Sequence, residues 1–309
     1  MNTSLQVQQK TAEVKAQTGR GISDFTAGIL YLLPSLLLFG VFLFYPMIKT
    51  LFLSLYYTDP QGNPIAFIGL DNFTYLLQSE AFLNSAKATG LFVLYTVPAG
   101  IVLALFLALI ANSSLRGIGI FRTLFSSTMG MSVAASSVIW MFMYNPSIGV
   151  FNKILNLLGF EGSQWLLDPN TALLAVSLST IWMNTGFAFL ILLGGLQNID
   201  EQLYESARIS GAGSFYQLRK ITLPMLSPTL FFITTVSLIN AFQTFGQIDI
   251  LTKGGPVQST NVIVYSIYQD AFINYNAGSA SAQAVMLFFC ILAVTILQFK
   301  LGEKKVHYQ

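Results

Sequence analysis

Charged side chains interrupt this chain so rarely that the gaps between them define its elements. Six uncharged runs, 25–48, 88–115, 123–152, 169–199, 221–248 and 271–299, are divided by charged or turn-forming stretches. A helix needs roughly 20 predominantly apolar residues to cross a bilayer, and every run reaches that length. None alternates apolar and polar positions as a barrel strand does, so backbone groups in hydrocarbon must be satisfied inside helices. The pattern predicts an all-α polytopic membrane protein with six spans, near 26–53, 89–111, 124–144, 173–196, 225–248 and 280–297.

Composition agrees. Of 309 residues, 54% are hydrophobic and 9% charged, against about 25% charged in soluble domains. Lys and Arg are retained on the cytoplasmic side of a membrane. With the N-terminus inside, eleven of the 15 basic residues fall on one side: Lys10, Lys15, Arg20, Arg116, Arg122, Arg208, Arg219, Lys220, Lys300, Lys304 and Lys305. Lys49, Lys87, Lys153 and Lys253 fall on the other. Both termini are therefore expected in the cytoplasm, and the net charge of +2 reflects topology, not nucleic-acid binding. Residues 1–24 read as a mobile polar arm, 25–299 as the membrane domain and 300–309 as a basic tail. The first run is too long for a secretory leader and no small-residue cleavage site follows it, so a signal peptide is not expected.

Between the spans, Asp59-Pro60-Gln61-Gly62-Asn63-Pro64 and Lys253-Gly254-Gly255-Pro256 force turns, and Asp71 is placed to cap a short helix. Val150, Phe151, Ile154, Leu155 and Leu158 recur at helical spacing, which predicts a surface amphipathic helix with Trp165 as an interfacial anchor. Ser126, Ser127, Ser132, Ala134, Ala135, Ser136 and Ser137 suit span three to close packing, with ligand binding by the serines the alternative. Pro34 and Pro46 in span one are either tolerated by packing or kink the helix for gating.

The chemistry that is missing narrows the function. One cysteine, Cys290, and one histidine, His307, exclude an internal disulfide and leave no Cys/His metal site. There is no Gly-x-x-x-x-Gly-Lys-Ser/Thr phosphate loop and no assembly of a nucleophile with a base. No catalytic residue, cofactor or metal is expected. Spans four and five carry no ionisable residue, whereas ion-coupled carriers keep one in the membrane. Uphill transport by this chain would need energy delivered from elsewhere.

One polar connection, 200–224, stands out. Asp200 is placed to cap a helix that Gly211 stops in the left-handed conformation. Ser214 and Gln217 have capping-box spacing for a second helix. Pro224 stands where the first N–H groups of a helix lack partners. Tyr204, Ala207, Arg208 and Gly211 share one face, shallow at Ala207 and Gly211, and Glu205 lies one turn from Arg208. On physics alone this is a rigid elbow, whether an ordinary connector or a socket for another protein.

Glu205-Ser206-Ala207, Gly211-Ala212, Leu218, Ile221, Leu223-Pro224 and Pro228 resemble the EAA signature of binding-protein-dependent ABC importer permeases. Ser206 and Ser210 depart from its usual Ala and Asp, both for small uncharged residues. Phe67 to Phe73, Trp182, Leu251 to Pro256, Tyr265 and Ala271-Phe272 are similar to the carbohydrate branch of that family. Asp59-Pro60, Gly254 to Gln258 and the tail Lys305 to Gln309 look closest to A-type permeases of glycerol-3-phosphate importers.

The resemblance implies a bacterial or archaeal cell-membrane permease, paired with a second homologous permease. Two ATP-binding subunits and an extracytoplasmic solute-binding protein complete such importers. Glu205, Ser206, Ala207, Gly211, Ala212, Leu218, Ile221 and Pro224 would form the ATPase-coupling elbow. It also implies that stretches in spans four and five touch the solute. There Thr180, Asn184, Asn240, Gln243, Thr244 and Gln247 can hydrogen-bond hydroxyls, and the last four share a helical face by i, i+3, i+4 and i+7 spacing. Interhelical bonding is the other use for such groups. Glycerol-3-phosphate or a related solute is the implied cargo. A neutral oligosaccharide of multiple-sugar, maltodextrin or raffinose type is the alternative, and an ATP-independent facilitator a more distant one.

Overall fold

Backbone N–H and C=O groups in hydrocarbon find partners most simply within a helix. The computed structural model, which describes residues 24–113 and 115–302, is helical over most of every uncharged run. Residues 1–23 of the arm and 303–309 of the tail, with His307, lie outside the described residues. Among the described residues, four helices are long and apolar enough to cross a membrane, and six spans result if each of two bent pairs counts as one. The chain is an all-α polytopic membrane protein. Its one described sheet is a hairpin of Tyr56–Thr58 and Pro64–Phe67.

The chain divides into two compact units, 1–52 and 53–309. In the first, the span stays helical through Pro34 and widens to a π-turn over Gly40–Phe44, where the Tyr45 N–H donates to Gly40 O. Pro46 follows directly. The register change absorbs its missing N–H, so the helix continues to Leu53.

In the second unit, two unbroken helices form the centre. Span two, Glu80–Ala111, begins well before residue 89, because Ser79 Oγ accepts the Phe82 N–H and starts it early. Span four is Ala172–Gln197. The two run parallel: Phe92 and Val97 share a buried cluster with Leu173 and Val176, while Ala104, Ala108 and Ala111 share another with Phe189, Leu192 and Leu196. Alanines at these positions let the backbones approach. Span six is Ala277–Gly302.

Spans three and five depart from the expected straight helices. Span three is Ile118–Gly130 and Val133–Met143, bent by 107°. The bend lies at Met131 and Ser132, where Ser132 Oγ caps the second piece by accepting from Ala135 N. At the crossing Thr128 meets span four, its Oγ1 accepting from Gly186 N at 3.0 Å. Of the seven small residues expected to pack closely, Ser136 and Ser137 are buried, whereas Ser127, Ser132, Ala134 and Ala135 are exposed. Span five is preceded by Ser214–Met225, bent by 68° from Ser227–Phe242. It ends at Phe242, and a short helix Gly246–Leu251 resumes after a gap.

Two local expectations also change. The helix Asp71–Gln78 forms, yet Leu70 is its N-cap and no side chain caps it; Asp71 lies inside the first turn, where its charge favours the positive helix end. Asn72 instead ties that helix to the hairpin, donating to Ser54 O and Tyr56 O. The surface helix forms as Val150–Leu157, but Trp165 turns inward. Its Nε1 donates to Asn152 Oδ1 at 2.7 Å, and its ring packs on Tyr144 and Phe151. A half-buried indole with a hydrogen-bond partner is better served there than at an interface.

Candidate functional site

The elbow is built as its local chemistry dictates at one end and differently at the other. Asp200 Oδ1 accepts from Gln202 N at 2.9 Å and starts the helix Glu201–Ile209. The helix ends in a Schellman motif: Gly211 N donates to Arg208 O at 3.0 Å and Ala212 N to Ala207 O at 2.9 Å. Gly211 has φ +77°, which an L side chain adopts only with strain. Arg208 pairs with Glu201 at 3.4 Å across an exposed surface, not with Glu205, and so contributes little.

The capping box does not close. Gly213 is the N-cap of Ser214–Gln217 with no side-chain bond, and Gln217 Nε2 donates to Ala212 O instead. That bond locks the second helix onto the glycine turn. A π-turn over Leu218–Thr222 follows, and the buried Thr222 hydroxyl meets the Tyr204 hydroxyl at 3.0 Å. The two short helices are thus one body. Of the eight expected residues, Glu205, Ser206 and Gly211 are exposed, whereas Ala207, Ala212, Leu218, Ile221 and Pro224 are half-buried and hold the elbow together.

The most exposed apolar groups are ones that sequence reasoning passed over. Ile209 is 88% and Phe215 75% exposed, one on each side of the glycine turn. The signal was present: two large apolar residues in a short polar connection, off the face shared by Tyr204 and Ala207.

Two adjoining cavities lie between the spans, of about 260 Å³ and 290 Å³, and both include Thr180, Asn184 and Asn240. The second adds Gln243, Thr244 and Gln247, so all six expected pathway residues line one space. The route differs from the expected helical face, because Gln243–Phe245 is not helical and the four span-five residues straddle a break. Gly246 re-enters the helix against span three, its absent Cβ leaving room for Val133 Cγ1. Span two adds Thr96 and Gly100, and span five Ser237. Ser237 lies one turn before Asn240, which was the signal for it.

Thr180 and Gln247 serve structure as well. Both are buried, and Thr180 Oγ1 lies 2.6 Å from Gln247 Oε1 and 2.8 Å from Val176 O. One hydroxyl proton cannot serve two acceptors. Turning the amide lets its nitrogen donate to Thr180 while Thr180 donates to Val176, at the loss of the weak Gln247 Nε2–Met183 Sδ contact at 3.6 Å. Thr180→Val leaves the Gln247 amide buried and short of a partner, an expected cost of about 1–3 kcal/mol. Adding Gln247→Leu recovers part of that loss. Thermal unfolding of the single and double variants in detergent measures the coupling, and strictly additive losses would contradict it.

None of the residues lining these two cavities is ionisable. The space can hydrogen-bond hydroxyls but cannot neutralise a charge.

Residues 14–306 match the family described as binding-protein-dependent transport system inner membrane component. The chain is 38% identical over 278 residues to the sn-glycerol-3-phosphate transport system permease protein UgpA of Agrobacterium fabrum (strain C58 / ATCC 33970), covering 89% of this chain and 94% of that protein. It is 37% identical over 276 residues to the protein of the same name from Rhizobium meliloti (strain 1021), with 89% and 94% covered. Among solved structures it is similar to a chain of a bacterial ABC transporter involved in the import of the acidic polysaccharide alginate, with TM-score 0.78 and 25% identity over 89% of this chain and 95% of that one. A chain of the alginate transporter in complex with an alginate pentasaccharide-bound periplasmic protein matches with TM-score 0.77 and 25% identity, covering 89% and 94%.

Proposed function

The chain belongs to the family of binding-protein-dependent transport system inner membrane components, and from that premise we propose that it forms half of the membrane pathway of an ATP-driven importer for glycerol-3-phosphate or a related solute. It is an ABC importer permease, a transport component and not an enzyme. Its pathway partner is a second homologous permease. Two ATP-binding subunits dock on the elbow, and an extracytoplasmic binding protein delivers the solute at the opposite end. Both termini face the cytoplasm of a bacterial or archaeal cell, and 200–224 is the coupling elbow.

The observation that carries this reading is the elbow itself. It is capped, glycine-turned and cross-braced, and it presents Ile209 and Phe215 to whatever lies beyond. A rigid body with exposed apolar side chains suits a groove on a partner that moves. The closing of an ATPase pair would then be transmitted through Thr222 and the 68° bend to span five. Asn184, Asn240, Gln243 and Thr244 would meet the passing solute, with Thr180 and Gln247 holding the wall behind them.

Proteoliposomes with the partner permease and receptor, with and without the ATPase, test the assignment. Uptake is expected only with ATPase and ATP. Uptake that persists without them would favour a facilitator. One observation favours a neutral oligosaccharide as the second reading: the cavities between the spans carry no charge. Binding of glycerol-3-phosphate, maltodextrin and raffinose to the purified cognate receptor decides between the solutes.

A further inference from the structure

A third cavity, of about 420 Å³, lies at the end of spans two and four opposite the elbow. Asn84, Lys87, Tyr95, Asn170, Gln258 and Ser259 supply its polar lining. Lys87 is its only cation, and no Asp or Glu lines it. The only ion pair among the described residues is Arg208–Glu201, so Lys87 has no counter-charge within 4 Å. Around it stand three carboxamides and two hydroxyls, groups that donate hydrogen bonds, although Asn170 Nδ2 already donates to Asp168 Oδ1 at 3.1 Å. The Ser259 hydroxyl is buried and has no hydrogen-bond partner.

The loop that supplies Gln258 and Ser259 is held in an unfavourable backbone. Val257 has φ +47° and Gln258 φ +59°, a conformation that is costly for a β-branched residue. Thr260 pins it, its hydroxyl donating to Gly255 O at 2.7 Å and meeting Thr252 Oγ1 at 2.8 Å. Strain of this kind persists where the surrounding structure enforces it and clusters at ligand clamps.

The cavity also has a direction. Span two runs from Lys87 to Thr96, which lines the uncharged cavity, a distance of about 14 Å at 1.5 Å per residue. Span four runs parallel from Leu173, in the charged cavity, to Thr180, in the uncharged one. The same two helices therefore wall both spaces in succession.

From this we infer that the Lys87 cavity is an anion-recognising vestibule, which takes the phosphate-monoester group of the solute before the rest of it enters the uncharged passage. The inference rests on the reading of the chain as a permease for a phosphorylated solute. It explains how an uncharged passage serves an anionic cargo. Charge is read once, at the entrance, by a single ammonium among neutral donors, and hydroxyls are read further in.

The test uses the complete importer in phosphatidylcholine vesicles with glycerol-3-phosphate as the probe. Lys87→Gln is expected to lower uptake about tenfold and Lys87→Arg to restore most of it, because a screened point charge is what is needed. Raising the ionic strength from about 50 to about 500 mM should lower wild-type uptake by more than that of Lys87→Gln. If Lys87→Gln fails to assemble, the salt response of Lys87→Arg decides, and a flat response overturns the inference. A deficit that appears only when phosphatidylglycerol is added would mark Lys87 as a lipid-headgroup contact and also overturn it. Equal uptake by wild type and Lys87→Gln refutes the vestibule alone. Failure of the wild type to take up glycerol-3-phosphate, with raffinose uptake intact, refutes the solute reading and the vestibule with it.

Discussion

Gly211→Trp abolishes ATP-driven uptake while the protein still inserts and accumulates in the membrane. Both halves of this expectation come from the glycine's surroundings. Apart from its chain neighbours, no atom lies within 4 Å of the position its Cβ would take, so the side chain starts in open space. The backbone cost of an L residue at φ +77° is about 1–2 kcal/mol, small against the roughly 5–15 kcal/mol that holds a domain folded. What the indole changes is the outer surface between Ile209 and Phe215, where the proposed ATPase groove must close. Gly211→Asn is the control, because asparagine tolerates the left-handed conformation; it should retain most of the uptake. Membrane-fraction immunoblots and uptake measured side by side separate docking from folding. Normal uptake by Gly211→Trp would remove the elbow from the coupling mechanism.

The second large effect is on folding. Gly186 lies where the 3₁₀ turn Ser127–Gly130, at the end of the first piece of span three, crosses span four. An added Cβ would sit 2.5 Å from Thr128 Oγ1 and 2.8 Å from the Met129 backbone nitrogen. A threonine rotamer can yield, but a backbone atom cannot move without shifting the bend. Gly186→Ala should therefore cost about 1–3 kcal/mol by overpacking, and Gly186→Leu should prevent accumulation of folded protein. Gly194→Ala, on the same helix, has open space at its Cβ and should be neutral or stabilising by up to about 1 kcal/mol through helix propensity. Apparent melting temperatures in detergent provide the comparison. A stable Gly186→Leu would mean that the crossing is loose.

These two glycines mark what could and could not be read from the chain. Gly211 was legible because everything that sets it is local: Asp200 before the helix, polar residues around it and glycine at its end. Gly186 was not, because its role depends on Thr128, 58 residues away, and a glycine in a membrane helix reads the same with or without a neighbour. The six apolar runs were legible from composition, since hydrocarbon tolerates so few sequences. The bend at Met131–Ser132 in span three and the gap at Gln243–Phe245 in span five were not. Neither contains a proline, and Ser132 and Gln243 read equally well as packing or pathway groups in a straight helix. The six residues expected on a pathway line one cavity, though for span five through a break instead of a shared helical face. The Glu205–Arg208 pair and the capping box failed for a simpler reason. Several partners lay within reach, and spacing alone did not rank Glu201 over Glu205, or Ala212 O over a capped N–H.

The two breaks also bear on the lipid around the protein. Val133–Met143 has 11 residues and Ser227–Phe242 has 16, so they reach only about 16 Å and 24 Å along their axes, against a hydrocarbon core of about 30 Å. Non-helical backbone at membrane depth survives only where protein or water shields it. Met131–Ser132 and Gln243–Phe245 are therefore closed to annular lipid. The unbroken helices, such as Glu80–Ala111 and Ala277–Gly302, can face acyl chains, and Phe106, Phe288 and Phe289 stand exposed on them. The perimeter is sorted into lipid-wetted and lipid-excluded sectors by two interruptions that no charge announces.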